Sequence, residues 1–142
     1  MAYLDLIDCG AGGPRCDVTP LFLNYTAFAS LVADLAGHFD VAPDCVAGID
    51  ALGFILGTAL ALHWRVGFAA IRKAGKLPGA ADQESFVDYA GQPKGLELRA
   101  AAALVERQGG VVVGIAAIHI DLNDATRRLM AQYNCQALEY EE

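Results

Sequence analysis

Positive charge is scarce in this sequence. Its 142 residues hold ten lysines and arginines against seventeen aspartates and glutamates, a formal net charge of −7. General nucleic-acid binding needs a basic surface that displaces counterions from phosphates, and this balance argues against it. Long apolar runs are missing too. The nearly uncharged apolar stretch 51–64 falls short of the ~20 residues that a bilayer span needs. The opening MAYLDLID is acidic and has no basic flank before an apolar core, so no secretory leader is expected and a cytoplasmic location is. The four cysteines, Cys9, Cys16, Cys45 and Cys135, form no C-x-x-C pair and share no zinc-like spacing with histidine. No protein-borne metal site is assigned. Cys45 and Cys135 lie in apolar runs and read as buried reduced thiols.

Two common catalytic signatures are absent as well. Gly10-Ala11-Gly12-Gly13 has no strand before it and Pro14 after it, which weighs against a dinucleotide fingerprint. Without a nucleophile elbow, a Ser-His-Asp hydrolase is not expected. His63 and His119 sit among apolar residues and read as packed, structural histidines. Repeats, low complexity and linkers are missing, so the chain reads as one domain over 1–142.

What is present describes a folded α/β protein: 55% apolar residues, 19% charged. Residues 7–20 read as an irregular arm. Asn24 suits a helix N-cap, and Phe28, Leu31, Val32 and Leu35 follow at the spacing of an amphipathic helix. Gly37 and His38 mark its end. The run 45–49 predicts a buried strand, 53–64 a helix apolar nearly all round, and 66–71 a second buried strand. That order implies a right-handed parallel crossover. A polar stretch, 80–95, holds a short β-forming segment at 85–89. A helix over 100–108 stops at Gly109-Gly110. The strongest strand signal lies at 111–120, followed by a helix over 124–132 and a last strand over 137–140.

Three of the ten basic residues, Arg72, Lys73 and Lys76, fall within five positions at the end of the second strand. In open α/β sheets ligands sit beyond the carboxyl ends of strands, so a local anion site and a solvated basic turn both stay open.

Two loops carry a resemblance. Gly48-Ile49-Asp50-Ala51-Leu52-Gly53-Phe54 and Arg72-Lys73-Ala74-Gly75-Lys76-Leu77-Pro78-Gly79 resemble the paired loops of the type I phosphoribosyltransferases, adenine phosphoribosyltransferases most of all. Asp17-Val18-Thr19-Pro20, Ala27-Phe28, the stretch 85–89, and the closing segments 106–120 and 138–141 are also similar to that family. The resemblance implies a mostly parallel twisted sheet flanked by helices, with a small N-terminal hood over 1–23 and a flexible catalytic loop over 80–98. It implies transfer of a phosphoribosyl group from phosphoribosyl pyrophosphate to a purine-type base, with Mg²⁺ carried mainly by the donor, and a homodimer. By the same resemblance Asp50, Ala51, Leu52, Gly53, Arg72, Lys73 and Lys76 bind pyrophosphate. Arg15 and Cys16 meet the base, and Asp88 and Tyr89 act at the catalytic loop.

The pattern departs from the family at four places. Leu52 stands where the family has arginine, Arg15 at or near an aromatic that packs on adenine, and Asp88 in place of glutamate. The base need not be adenine. The fourth departure is a gap. Arg99 runs straight into Ala100-Ala101-Ala102 where the family has a strand and a ribose-phosphate turn, roughly twenty residues. The missing strand is a central one, so its loss predicts inner strands without a neighbour. Three readings stay open: a segment present in the molecule but not in this sequence, a deletion tolerated by re-pairing, or a degenerate homologue. The well-matched flanks favour the first. The alternative function is accordingly a non-catalytic relative that binds a base or nucleotide, or serves as a dimer partner.

Overall fold

The computed structural model describes residues 3–8, 17–49, 51–72, 85–87, 93–95, 98–122 and 124–141. Its contacts divide the chain into two compact units, Met1–Asp40 and Val41–Glu142.

The first unit is helical. A 3-10 turn, Leu4–Leu6, precedes helix α1 (Thr19–Leu23) and helix α2 (Tyr25–Gly37). Pro20 lies in the first turn of α1, where a missing N–H costs nothing. Just ahead of it the Asp17 carboxylate accepts from the Thr19 amide at 2.8 Å. The hydroxyl and amide of Thr19 hold that carboxyl below its ordinary range. Asp8 and Asp17 pair as an antiparallel bridge. Asn24 caps α2 as its chemistry predicts, its side chain accepting from the Ala27 amide at 3.0 Å. Leu31, Val32 and Leu35 are buried, the stripe that the helical spacing marks out. Leu21 joins them as a fully buried side chain. At the far end, the His38 ring nitrogen Nδ1 meets the Asp34 carbonyl at 2.8 Å, a terminus role. Tyr3 is buried and donates to the Asp34 carboxylate. Burial, then the hydrogen bond and charge of Asp34, push the Tyr3 phenol well above its ordinary range.

The second unit alternates strand and helix. Strand β1 (Cys45–Ile49), helix α3 (Leu52–Trp64) and strand β2 (Gly67–Ile71) form a β-α-β unit, and β1 and β2 pair in parallel. The helix ends on Arg65 in the left-handed region, φ 59°, with its amide returned to the Ala61 and Leu62 carbonyls. Strands β3 (Ser85–Val87) and β4 (Pro93–Gly95) make a small antiparallel hairpin. Helix α4 (Leu98–Arg107) stops at Gly109, whose φ of +81° suits glycine. Strand β5 (Ile115–Asp121), helix α5 (Asp124–Gln132) and strand β6 (Cys135–Glu141) form a second β-α-β unit, again parallel. Ala102, Ile115, Tyr133 and Cys135 make its core, with Val112, Ile120, Leu129 and Met130 packed around them. The Tyr133 hydroxyl donates to the Glu106 carboxylate at 3.1 Å, tying α5 to α4. Among the described residues no helix is long and apolar enough to cross a membrane.

Four expectations need correction. β1 and β2 are not buried strands: Gly48 alone is buried among their ten residues. The reason is topological. Among the described residues each strand has one partner, in three pairs, β1-β2, β3-β4 and β5-β6. Cys45 is consequently exposed, whereas Cys135 is buried as expected. The strand signal at Val111 is taken up only from Ile115 onward. His63 is exposed and lies edge-on to Trp64, so it is not a packed core histidine.

Candidate anion-binding site at the ends of β1 and β2

Two strands deliver the site. In the parallel register Ile49 faces Ile71, so the chain leaves β1 and β2 at the same level. Adjacent strands lie about 5 Å apart. The loop that begins after Ile49 and Arg72, which follows Ile71, therefore emerge side by side. Ala51, Leu52 and Gly53 thus follow β1 at the level where Arg72 follows β2.

Glycines allow the approach. A Cβ on Gly48 would overlap the Gly53 carbonyl and come within 2.7 Å of the Phe68 ring. The first turn of α3 thus lies directly on the end of β1, and only a residue without a side chain fits at Gly48. Gly57, one turn further, meets the same ring edge of Phe68. Phe54 stacks edge-on to Phe68, ring centroids 6.1 Å apart. Sequence reasoning passed over Phe68 and Gly57. No pattern in β2 or α3 singles them out: GFAAI does not alternate, and Gly57 is one of several small residues in its helix.

The electrostatics suit an anion. α3 is thirteen residues long, its cap position is Ala51 with no side-chain acceptor, and its first turn carries no acidic residue. Free amides at a helix N-terminus and the helix dipole both favour negative charge. Ala51 and Leu52 are exposed, Leu52 to 55%, and Arg72 is exposed beside them. Leu52 adds no charge, so what this part of the loop could offer an anion is its backbone.

The remaining expected site residues, Arg15, Cys16, Asp50, Lys73, Lys76, Asp88 and Tyr89, lie outside the described residues. β3 and β4 flank the positions 88–92, which include Asp88 and Tyr89. β4 was missed in the sequence because it opens on Pro93, a residue admitted to strands only at their first position or an edge. Among the described residues no three His, Cys, Asp or Glu side chains gather as a metal site.

No family model matches the sequence. Single relatives do. The adenine phosphoribosyltransferase of Dinoroseobacter shibae is 39% identical over 140 aligned positions, covering 82% of this chain and 78% of that protein. The chain belongs to the adenine phosphoribosyltransferase family. Shorter matches reach higher identity. The Methylibium petroleiphilum adenine phosphoribosyltransferase is 44% identical over 71 residues, and that match spans 36% of its length. In fold, the adenine phosphoribosyltransferase of Thermoanaerobacter pseudethanolicus superposes with a TM-score of 0.85, covering 98% of each chain at 23% identity. The type I phosphoribosyltransferase fold read from the two loops is thereby borne out.

The alignment with the Dinoroseobacter relative is also longer than the part of this chain that it covers. Its 140 positions take up 82% of 142 residues, about 116, so about 24 positions of the Dinoroseobacter adenine phosphoribosyltransferase have no counterpart here. Among the described residues β1 pairs only with β2, and β5 only with β6.

Proposed function

We propose that this chain transfers the phosphoribosyl group of phosphoribosyl pyrophosphate to a purine-type base, adenine being the first to test, as a salvage step. The observation that carries this reading is the parallel pairing of Ile49 with Ile71, which sets an uncapped helix N-terminus beside Arg72. In the reaction the bond from ribose C1′ to the pyrophosphate oxygen breaks and a bond from C1′ to base N9 forms. The N9 proton is lost, and the pyrophosphate leaves with the bonding electrons. The ribose passes through oxocarbenium character, so the protein's task is to position the base and to neutralise the leaving group.

The backbone of Asp50, Ala51, Leu52 and Gly53 supplies amide donors to that leaving group, and Arg72, Lys73 and Lys76 supply charge. Asp88 and Tyr89 belong to the loop that excludes water, which otherwise hydrolyses the donor. Arg15 and Cys16 meet the base. The reading includes Mg²⁺ only as a companion of the donor's pyrophosphate oxygens, and no step depends on a protein-held ion. The finer reading keeps the chain as one domain with an N-terminal hood, in the cytoplasm, away from nucleic acid and membranes.

A homodimer belongs to the same proposal. Leu52, Ile55 and Leu62 are exposed along α3 while Leu56, Leu60 and Ala61 are buried, so the helix presents a second apolar side. A surface of that kind supports association with another copy.

The test is AMP formation from adenine, phosphoribosyl pyrophosphate and Mg²⁺, followed by chromatography, with hypoxanthine and guanine as parallel acceptors. Product from one base that is lost in Arg72→Gln supports the reading. Pyrophosphate binding without any nucleotide product instead supports a non-catalytic relative that binds but does not turn over, as loss of the ribose-phosphate turn would give.

A further inference from the structure

Two cysteines adjoin the backbone bridge of the N-terminal arm. Asp8 and Asp17 exchange both hydrogen bonds of an antiparallel pair: the Asp8 amide donates to the Asp17 carbonyl at 3.0 Å, and the Asp17 amide to the Asp8 carbonyl at 2.7 Å. Cys9 follows the first of these residues and Cys16 precedes the second. Both cysteines lie outside the described residues. The bridge and one peptide bond on each side limit how far apart they can be.

In an antiparallel ladder, a pair that exchanges both bonds is followed by one that exchanges none, with Cα atoms about 4.5 Å apart and side chains closer together. Counted from Asp8 and Asp17 into the arm, the residues due for that pair are Cys9 and Cys16. Disulfides span Cα separations of about 4.4–6.8 Å. The sequence between the cysteines, Gly10-Ala11-Gly12-Gly13-Pro14-Arg15, is rich in turn-forming residues. Both flanks of the bridge are held. The Ile7 amide returns to the Leu4 carbonyl at 3.0 Å, and the Asp17 carboxylate accepts from the Thr19 amide at 2.8 Å. Tyr3 ties the start of the arm to Asp34 on α2.

We propose that Cys9 and Cys16 form a reversible disulfide. The thiolate of one attacks a low-molecular-weight disulfide such as oxidised glutathione and expels one glutathione thiolate. The other cysteine then attacks the protein sulfur of the mixed disulfide and expels the second. The bond between Cys9 and Cys16 forms as two protein thiols give up their protons, and their two electrons reduce the glutathione disulfide to two thiols. In a reducing compartment such a pair is a switch rather than a permanent staple. Cys16 is also one of the two residues proposed to meet the base, so oxidation takes its thiol out of that role. The bond itself needs no turnover.

The experiment equilibrates the full chain with mixtures of oxidised and reduced glutathione, once folded and once in urea, quenches with acid, and reads intact and peptide masses. The expected product of the folded chain is about 2 Da lighter, two hydrogens fewer, with its peptides linked from Cys9 to Cys16. Its formation constant is at least about tenfold larger than in urea, because the bridge raises the effective concentration of one thiol at the other. The oxidised parent then melts above the reduced parent, and Cys9→Ser shows no such rise. Three results overturn the proposal: thiols that stay reduced or carry glutathione in excess oxidant, a link from either cysteine to Cys45 or Cys135, or a constant no larger in the folded chain than in urea. AMP formation enters none of these readings, so failure here is distinct from failure of the proposed activity.

Discussion

The ring of Phe68 lies where a side chain on Gly48 would have to go, its Cε2 2.7 Å from the Cβ that any other residue would carry. The same ring atom closes on Gly57, at 2.8 Å from a Cβ there. One aromatic on β2 thus seats both the end of β1 and the second turn of α3. Through them it sets the loop that starts the candidate anion site.

The two glycines are predicted to respond differently to alanine. At Gly48 the added methyl overlaps the Gly53 backbone carbonyl as well as the ring, and backbone cannot swing aside. Gly48→Ala is expected to cost about 2–3 kcal/mol in urea unfolding, and Phe68→Leu does not rescue it. At Gly57 the tight contact is the ring alone. In a Phe68→Leu background Gly57→Ala becomes neutral or gains up to about 1 kcal/mol from helix propensity. Rescue at Gly48 and none at Gly57 would refute this packing.

Leu52 places an apolar side chain, 55% exposed, in a loop otherwise suited to an anion. Leu52→Arg is expected to tighten pyrophosphate binding about tenfold at low salt through charge-assisted hydrogen bonds, and the gain shrinks as salt screens it. Calorimetry at two ionic strengths checks both parts. A salt-independent gain, or none, means that the ligand does not approach this loop.

Tyr3 predicts an alkaline weakness. Its phenol is buried and donates to Asp34, so its folded pKa lies well above the ordinary value of 10.0. The unfolded chain then releases this proton first as pH rises. The stability from this group is complete below pH 10 and falls as pH climbs towards the folded value. Tyr3→Phe should cost about 2 kcal/mol at pH 7, since it removes a hydrogen bond to a carboxylate, and should flatten the alkaline loss. Denaturant titrations at pH 7 and above pH 10 read both.

The two described cysteines differ in access. Cys45 is exposed, whereas Cys135 is buried and its burial raises the thiol above its ordinary range. In a Cys9→Ser/Cys16→Ser background, one thiol is expected to react promptly with a disulfide reagent in native buffer. The second should react only in denaturant. Mass mapping that finds Cys135 labelled first would contradict the placement of β6.

Local chemistry made much of this legible. Asn24 before the Phe28, Leu31, Val32 and Leu35 spacing marks α2, and Gly109 marks the stop of α4, because capping and periodicity act within a few residues. The strands β1 and β2 were readable for the same reason, and their loops carried the family. Burial was not readable. Whether Ala47 or Cys45 is covered depends on a neighbouring strand far away in sequence, and the apolar run looks the same in either case. β4 escaped because Pro93 argues against a strand until an antiparallel partner is known. The late start of β5 escaped because α5 takes up the residues that 111–114 would need.

Asn24 ends α1 and begins α2, its own amide bonded back to Leu21 and its side chain capping the helix ahead. The corner therefore contains no spare residue. Adding one position there would turn α2 by about 100° about its axis. Leu31, Val32 and Leu35 would then turn out of the positions that bury them, and Asp34 would swing away from Tyr3. Composition at this corner is free to drift, as the exposed Leu23 and Tyr25 on either side permit. Its length is not, and an insertion tolerated there would have to come as a whole turn or not at all.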